Sequence, residues 1–142
     1  MIEKSISLIA NYMWGKSIEN IKNTLSEEEI KNFNMNDYYY LTMIYELKNP
    51  KLSDIADKLK VTKPAVSALV KRLAKNGMVI KKQSEKDKRV YYLKLTDKAF
   101  KIIEGDNELY HDMARILEEK LGDNGVEELL QYIIKNIKGA VK

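Results

Sequence analysis

The side chains in this sequence best suited to chemistry are lysines and arginines concentrated in its middle third. Residues 51–94 contain thirteen basic and four acidic residues, a net charge of +9, whereas the remainder contains twelve basic and seventeen acidic residues, a net charge of −5. A basic segment of this strength is typical of a surface that attracts a polyanion such as double-stranded DNA. The alternative is a set of ordinary solvated lysines.

Residues 62–75 have the pattern of a helix with one apolar and one basic face. Thr62 is a typical N-cap residue, and Pro64 falls in the first turn, where its missing N–H costs nothing. The apolar face is formed by Val66, Leu69, Val70 and Leu73. The opposite face combines small and basic side chains, which suits a helix that lies deep in a DNA groove. Its candidate DNA-binding residues are Thr62, Lys63, Pro64, Ser67, Ala68, Lys71, Arg72 and Lys75.

These candidates divide into two groups by chemistry. Thr62, Lys63 and Ser67 can hydrogen-bond to bases or phosphates, and Ala68 can contact a thymine methyl group. Phosphates are expected to be neutralised by the cations further along the helix, Lys71, Arg72 and Lys75. The alternative is an ordinary surface helix with scattered lysines.

A lysine-rich β-hairpin is predicted directly after this helix. Residues 78–81 and 90–95 have the composition of antiparallel strands, and residues 83–88 form the polar turn between them. Asp87 and Arg89 project to the same side of an extended chain, so the carboxylate can orient the guanidinium toward a narrow minor groove. The alternative is a local surface ion pair. The candidate DNA-binding residues here are Lys86, Asp87, Lys88 and Arg89.

Apolar periodicity predicts helices over the rest of the chain. They span residues 2–25, 35–47, 52–59, 97–122 and 123–137. Asn34 and Asp37 resemble a capping box for the second of these helices, and Ser53 or a residue just before it is expected to cap the third. Gly105 is expected to bend the long helix. The predicted fold is mostly α with one small β-hairpin wing, and its middle part is a winged helix-turn-helix.

Several classes of protein are disfavoured by what the sequence lacks. It has no Cys and one His, His111, so neither a metal site nor thiol chemistry is expected. It has no glycine-rich phosphate loop and no nucleophile motif, so we expect neither an enzyme nor a cofactor. No apolar run approaches the ~18 residues that cross a bilayer, which favours a cytoplasmic protein without a membrane partner. A winged helix that docks onto another protein is the rival binding function.

The segment LSDIADKLKVTKPAVSALVKRLAKNGMVIKKQSEKDKRVYYLKLTDKA resembles the winged-helix core of the MarR family of bacterial transcriptional regulators. The matching features are the helix LSDIADKL, the recognition helix from Thr62 to Arg72, Asn76-Gly77 before the first wing strand, the wing motif Asp87-x-Arg89, and Leu95-Thr96-Asp97-Lys98 at the start of the long helix. The sequence departs from the family pattern at Ala99, where the family usually has Gly.

The resemblance implies a homodimer that binds an inverted-repeat DNA operator and is usually a repressor released by a small molecule. Residues 1–34 would be an N-terminal dimerisation helix and linker, residues 35–95 the DNA-binding domain, and residues 96–142 the C-terminal dimerisation helices. This division agrees with the charge distribution, since the basic segment falls within the DNA-binding part.

The resemblance also implies an effector crevice for a phenolic or lipophilic anion. The candidate lining residues are Met13, Trp14, Tyr38, Tyr39, Tyr45 and His111. The tyrosines have an alternative explanation as core and dimer packing with their hydroxyls in solvent. His111 likewise has two interpretations, an interface histidine that is partly exposed or a residue of a ligand pocket or pH sensor.

Overall fold

A computed structural model describes residues 1–137 of the chain. Residues 1–106 form one compact unit, and a second unit begins at Asn107. The predicted fold class is confirmed, because the described residues are mostly helical with one antiparallel hairpin. The elements are α1 (Ile2–Thr24), α2 (Glu27–Lys31), α3 (Met35–Leu47), α4 (Leu52–Leu59), α5 (Lys63–Lys75), β1 (Val79–Gln83), β2 (Tyr91–Leu95) and α6 (Asp97–Asn136).

The core of the first unit lies where α3, α4, α5, the hairpin and the start of α6 meet. Its apolar side chains are excluded from water, which is the main favourable contribution to folding. The most deeply buried of them are Leu41, Ile55, Val66, Leu73, Met78, Leu93 and Ile102. This core positions α5 relative to the hairpin.

Helix α5 begins as predicted. The Thr62 hydroxyl accepts a hydrogen bond from the Ala65 N–H at 3.3 Å, and Pro64 occupies the first turn. The chain enters from α4 through Lys60, whose φ of 56° is left-handed. The amide of Val61 then donates to the Ala56 carbonyl at 3.1 Å. These local contacts make the tight turn of a helix-turn-helix.

The start of α4 distinguishes the two predicted caps. Its N-cap is Lys51, two residues before Ser53, and the Lys51 N–H donates to the Asp54 carboxylate at 2.9 Å. The cap is therefore a residue just before Ser53, and not Ser53 itself. The Asp54 carboxylate accepts the N–H of the N-cap residue, which is one half of a capping box.

The hairpin is a regular antiparallel pair with Val79 opposite Leu95 and Gln83 opposite Tyr91. A short third segment extends it, because the Leu93 N–H donates to the Pro50 carbonyl at 2.8 Å. The first strand runs two residues further than predicted, to Gln83, and the loop therefore spans residues 84–90.

The predicted capping box of α3 is present, and α6 has a hydroxyl cap. Asn34 and Asp37 form a reciprocal capping box at the start of α3, with both hydrogen bonds at 3.0–3.1 Å. The Thr96 hydroxyl accepts a hydrogen bond from the Ala99 N–H at 3.3 Å and caps α6. Ala99, where the family usually has Gly, is fully buried in the core.

Helix α2 was not predicted, because five residues are too few to show periodicity. Its signal was present in the sequence, since Ser26 and Glu29 form a second capping box. Glu29 also pairs with Lys98 of α6, and hydrogen bonding to Lys98 is the main reason that the pKa of Glu29 falls to about 2. This pair fastens α2 to the start of α6.

Gly105 does not bend α6, contrary to the prediction, because its backbone remains helical. Gly105 matters because a side chain of α1 packs closely against α6 at this position. The Asn20 side chain donates from Nδ2 to the Ile102 carbonyl at 2.8 Å, and a Cβ at position 105 would collide with that side chain. A side chain at position 105 would therefore displace Asn20 from this hydrogen bond.

The second unit is helical as far as Asn136, except at Gly122, whose φ of 72° and ψ of 161° are not helical. The predicted break between helices after residue 122 is confirmed. Residues 138–142, the end of the predicted dimerisation segment, lie outside the described residues. No helix within residues 1–137 combines the length and the apolar character needed to span a bilayer.

The Glu29–Lys98 pair gives a pH-dependent prediction. The folded pKa of Glu29 lies below its ordinary value of 4.5, so its stabilisation is complete above that value and is lost as pH falls toward about 2. We expect Glu29→Gln to lower the melting temperature by about 3 °C at pH 7. The difference in melting temperature between Glu29→Gln and the wild type should shrink as the pH falls from 4.5 to about 2.

Glu28→Gln is the matched control, because Glu28 is an exposed carboxylate on the same helix. Thermal unfolding followed by circular dichroism should show little change for this variant at either pH. A Glu29→Gln deficit that stays constant with pH would contradict the assignment.

Candidate nucleic-acid interface

The outer face of α5 is open to solvent along its whole length. Val66, Val70 and Leu73 are 0–3% exposed and turn into the core. Because these three residues fix the rotation of the helix, the predicted polar face must point outward. The exposed residues on it are Thr62, Lys63, Pro64, Ser67, Ala68, Lys71 and Lys75.

Arg72, expected from the sequence to contact phosphate, already has a partner within the protein. Its Nη1 donates to Oδ1 of Asp37, whose side chain is 1% exposed, while the Arg72 side chain is 40% exposed. The phosphate contact of Arg72 stays a prediction, and this ion pair stands beside it. No local pattern could have shown this contact, since the two residues are 35 positions apart.

The wing tip has the predicted ion pair in a bidentate form. Arg89 donates from Nε to Asp87 Oδ1 at 3.1 Å and from Nη2 to Asp87 Oδ2 at 3.2 Å. Hydrogen bonding to Arg89 is the main reason that the pKa of Asp87 is lowered. The Arg89 side chain is 90% exposed. The guanidinium is therefore oriented by the protein and still accessible to a ligand.

The loop that carries Arg89 is closed by its own hydrogen bonds. The Ser84 N–H donates to the Val90 carbonyl at 2.8 Å, and the Val90 N–H donates to the Asp87 carbonyl at 2.9 Å. The Gln83 side chain donates to the Lys88 carbonyl at 2.7 Å. Lys86 and Lys88 are exposed on this loop.

A cleft of about 370 Å³ separates α5 from the wing. Three cations from three elements line it, namely Lys51 before α4, Lys63 at the start of α5 and Arg89 in the wing. Ser53 and Ser67 add hydroxyl groups. Such a set of donors suits an anion the size of a phosphate group. Lys51 and Ser53 were missed by the sequence analysis, and their position at the start of the first helix of the motif was the available signal.

The sequence pattern of the MarR family matches residues 33–91, from just before α3 to the start of β2. The HTH-type transcriptional regulator BilQ of Clostridioides difficile (strain CD3) is 26% identical to this chain over 107 residues, which are 74% of this chain and 72% of BilQ. The chain is therefore similar to DNA-binding transcriptional regulators of the MarR family. The curated relatives that it matches are named as transcriptional regulators, which are not enzymes.

Solved structures show the same MarR fold. A MarR-like transcriptional regulator from Thermotoga maritima superposes with a TM-score of 0.66 at 20% identity, covering 99% of this chain and 95% of that one. S. aureus MepR bound to an oligodeoxyribonucleotide superposes with a TM-score of 0.55 at 20% identity, covering 95% and 94%. MepR bound to ethidium bromide superposes with a TM-score of 0.65 at 20% identity, covering 95% and 93%.

The six candidate effector residues do not lie together in one described pocket. Met13, Tyr38 and Tyr45 are half-buried, whereas Trp14, Tyr39 and His111 are exposed. His111 belongs to the second unit and the other five belong to the first. Tyr45 lines a cavity of about 470 Å³, and its ring centroid lies 5.9 Å from that of Phe100. The cavity walls also include Ile44, Leu95 and the two cations Lys48 and Lys94.

Within residues 1–137, no group of three or more His, Cys, Asp or Glu side chains is placed to hold a metal ion.

The role of Asp87 determines whether its removal raises or lowers the affinity for DNA. Asp87→Ala removes a negative charge, so simple electrostatics would strengthen DNA binding. If the carboxylate holds Arg89 in its binding orientation, the variant should instead bind about 3- to 10-fold more weakly, because Arg89 must then be ordered during binding.

The measurement is fluorescence anisotropy with a duplex that the wild-type protein selects from a random library. Glu85→Ala is the control, since Glu85 is an exposed acid of the same loop and its loss changes the net charge equally. The control should bind as tightly as the wild type or slightly more tightly. Tighter binding by Asp87→Ala would rule out the orienting role.

Proposed function

We propose that this chain is a MarR-family repressor that binds an inverted-repeat operator as a homodimer and releases it when a small molecule binds. One observation carries the DNA part of the proposal. The exposed small and basic face of α5 and the oriented guanidinium of Arg89 lie on opposite sides of one cleft in the same compact unit. A helix and a wing in this arrangement can contact adjacent grooves of one duplex.

The proposed contacts follow the chemistry of each position. Thr62, Lys63, Ser67 and Ala68 form the end of α5 that approaches the base edges in the major groove. Arg89 enters the neighbouring minor groove, whose negative potential favours a guanidinium. Phosphates are contacted by the remaining cations, Lys51, Lys71, Lys75, Lys86 and Lys88.

The homodimer is supported by apolar side chains that each unit exposes. Ile2, Ile6, Leu8 and Ile9 of α1 are 47–75% exposed in the first unit. The second unit exposes a further set, Ile116, Leu121, Leu129, Tyr132, Ile133 and Ile137. So many exposed apolar residues at the two ends of the chain are typical of an interface between copies. A two-fold dimer places its recognition helices roughly 34–36 Å apart, which favours an inverted repeat.

Selection from a library of random duplexes tests the proposal directly. The full chain should enrich duplexes that contain an inverted repeat with half-site centres about 10 base pairs apart, and two chains should bind each duplex. Affinity should fall steeply with salt, because phosphate contacts release counterions.

Two results would contradict this function. One is the absence of any enriched sequence, and the other is binding by a single chain to an asymmetric site. A partner protein that binds this surface with little salt dependence would instead favour the rival docking function.

The proposed effector site is the cavity beside Tyr45. Its apolar walls, Ile44, Leu95 and Phe100, suit a small aromatic ring. The lining also holds two cations, Lys48 and Lys94, against one acid, Glu46, which leaves a net positive charge for an attached anion. The cavity lies between the end of α3, the end of β2 and the start of α6. A ligand there contacts both β2 of the wing and the start of α6. Its binding can therefore shift the wing and weaken DNA binding.

Benzoate is a simple probe of this cavity. Millimolar benzoate should raise the melting temperature and weaken binding to the selected duplex, and Lys48→Glu should remove both effects by repelling the carboxylate. Lys101→Glu is the control, because it makes the same charge change on an exposed residue that does not line the cavity. Equal responses from both variants would exclude this cavity as the site.

A further inference from the structure

The ion pair between Asp37 of α3 and Arg72 of α5 is not among the DNA contacts proposed above. Asp37 is fully buried, and each of its carboxylate oxygens is occupied. Oδ2 accepts the Asn34 N–H at 3.1 Å within the capping box of α3, and Oδ1 accepts Nη1 of Arg72. Arg72 lies in the last part of the recognition helix, so the start of α3 and the end of α5 share one carboxylate.

A second contact joins the same two regions. The Asn76 side chain, at the C-cap of α5, donates from Nδ2 to the Asn32 carbonyl at 3.2 Å. Residues 72 and 76 are one helical turn apart, so both contacts hold the same face of the end of α5. Residues 32–37 therefore act as a support for the recognition helix.

The geometry of a helix makes such a support important for base recognition. Residues 63 and 72 are roughly 14 Å apart along the axis of α5. A small rotation at the supported end shifts the other end, where base edges are read, by a distance that grows with this length. Base contacts must be held within about 0.5 Å to be productive.

We propose that Arg72 is a positioning residue, whose ion pair with Asp37 sets the angle at which α5 meets the bases and thereby determines sequence specificity. The proposal rests on the DNA-binding function. It assigns Arg72 a role opposite to that of its neighbour Lys71, which is exposed and attracts any phosphate. Phosphate contacts carry no sequence information, whereas the angle of the helix affects only contacts with bases.

The test compares affinity for the selected duplex with affinity for a scrambled duplex of the same length and composition. The full-length variants are Asp37→Asn, Arg72→Met, the double variant Asp37→Asn/Arg72→Met, and the control Lys71→Met. Each affinity is measured over a range of salt concentrations. Thermal unfolding of every variant separates loss of fold from loss of specificity.

Asp37→Asn is the decisive variant, because the two interpretations predict opposite results. If Arg72 positions the helix, the ratio of the two affinities falls about 10-fold, as it would for one or more lost base contacts, and scrambled binding changes little. If Arg72 is a phosphate contact restrained by Asp37, the variant frees it. Both duplexes then bind more tightly with a steeper salt dependence, which would overturn the proposal.

The control and the double variant complete the test. Lys71→Met should weaken both duplexes equally and reduce the salt slope by about 0.9. Arg72→Met leaves the buried Asp37 carboxylate without its cation, so the double variant should unfold closer to the wild type than Arg72→Met does, while its specificity stays low. Wild-type specificity in the double variant would also overturn the proposal. Failure of the wild type to select any duplex would instead refute the DNA-binding function itself.

Discussion

The burial of one apolar stripe on α5 is the constraint on which the rest of the site depends. Val66, Val70 and Leu73 are packed into a core shared with Ile55 of α4 and Leu93 of β2, and all five are 0–3% exposed. Rotating the helix would expose this stripe at a cost of about 1.5–3 kcal/mol for each large side chain. The small and basic side chains of the opposite face are therefore held outward, beside the wing. Hydrophobic packing thus determines which residues are available to a duplex.

The basic residues of this surface fall into two physical classes. Lys63, Lys71 and Lys75 are exposed cations whose attraction for phosphate is long-ranged and indifferent to sequence. Arg72 and Arg89 are each held by a carboxylate, but Arg89 is 90% exposed whereas Arg72 reaches a buried partner. In the proposed complex, the first class supplies affinity, and the second fixes geometry.

Local sequence signals were sufficient for much of the fold and for part of the candidate site. The stripe on α5, the cap at Thr62 and the Asp87–Arg89 pair follow from spacing alone, because their partners lie within a few residues. The partners of Arg72 and Gly105 could not be predicted this way, since Asp37 and Asn20 are distant in sequence and meet only through tertiary packing. Helix α2 was not predicted, because a helix of five residues is too short for its apolar positions to repeat. The grouping of effector residues stays a prediction, since residue type alone does not determine which tyrosines share a cavity.

The central claim is that α5 and the wing contact adjacent grooves of one duplex. Because the chain has no Cys, Ala68→Cys and Lys88→Cys each provide a single attachment point for an iron chelate that cleaves nearby DNA. On a duplex selected by the wild type, cleavage from position 68 should fall inside each half-site. Cleavage from position 88 should fall in the minor groove that flanks it, symmetrically about the centre. Bound protein that cleaves at neither place, or that cleaves without symmetry, would contradict the account.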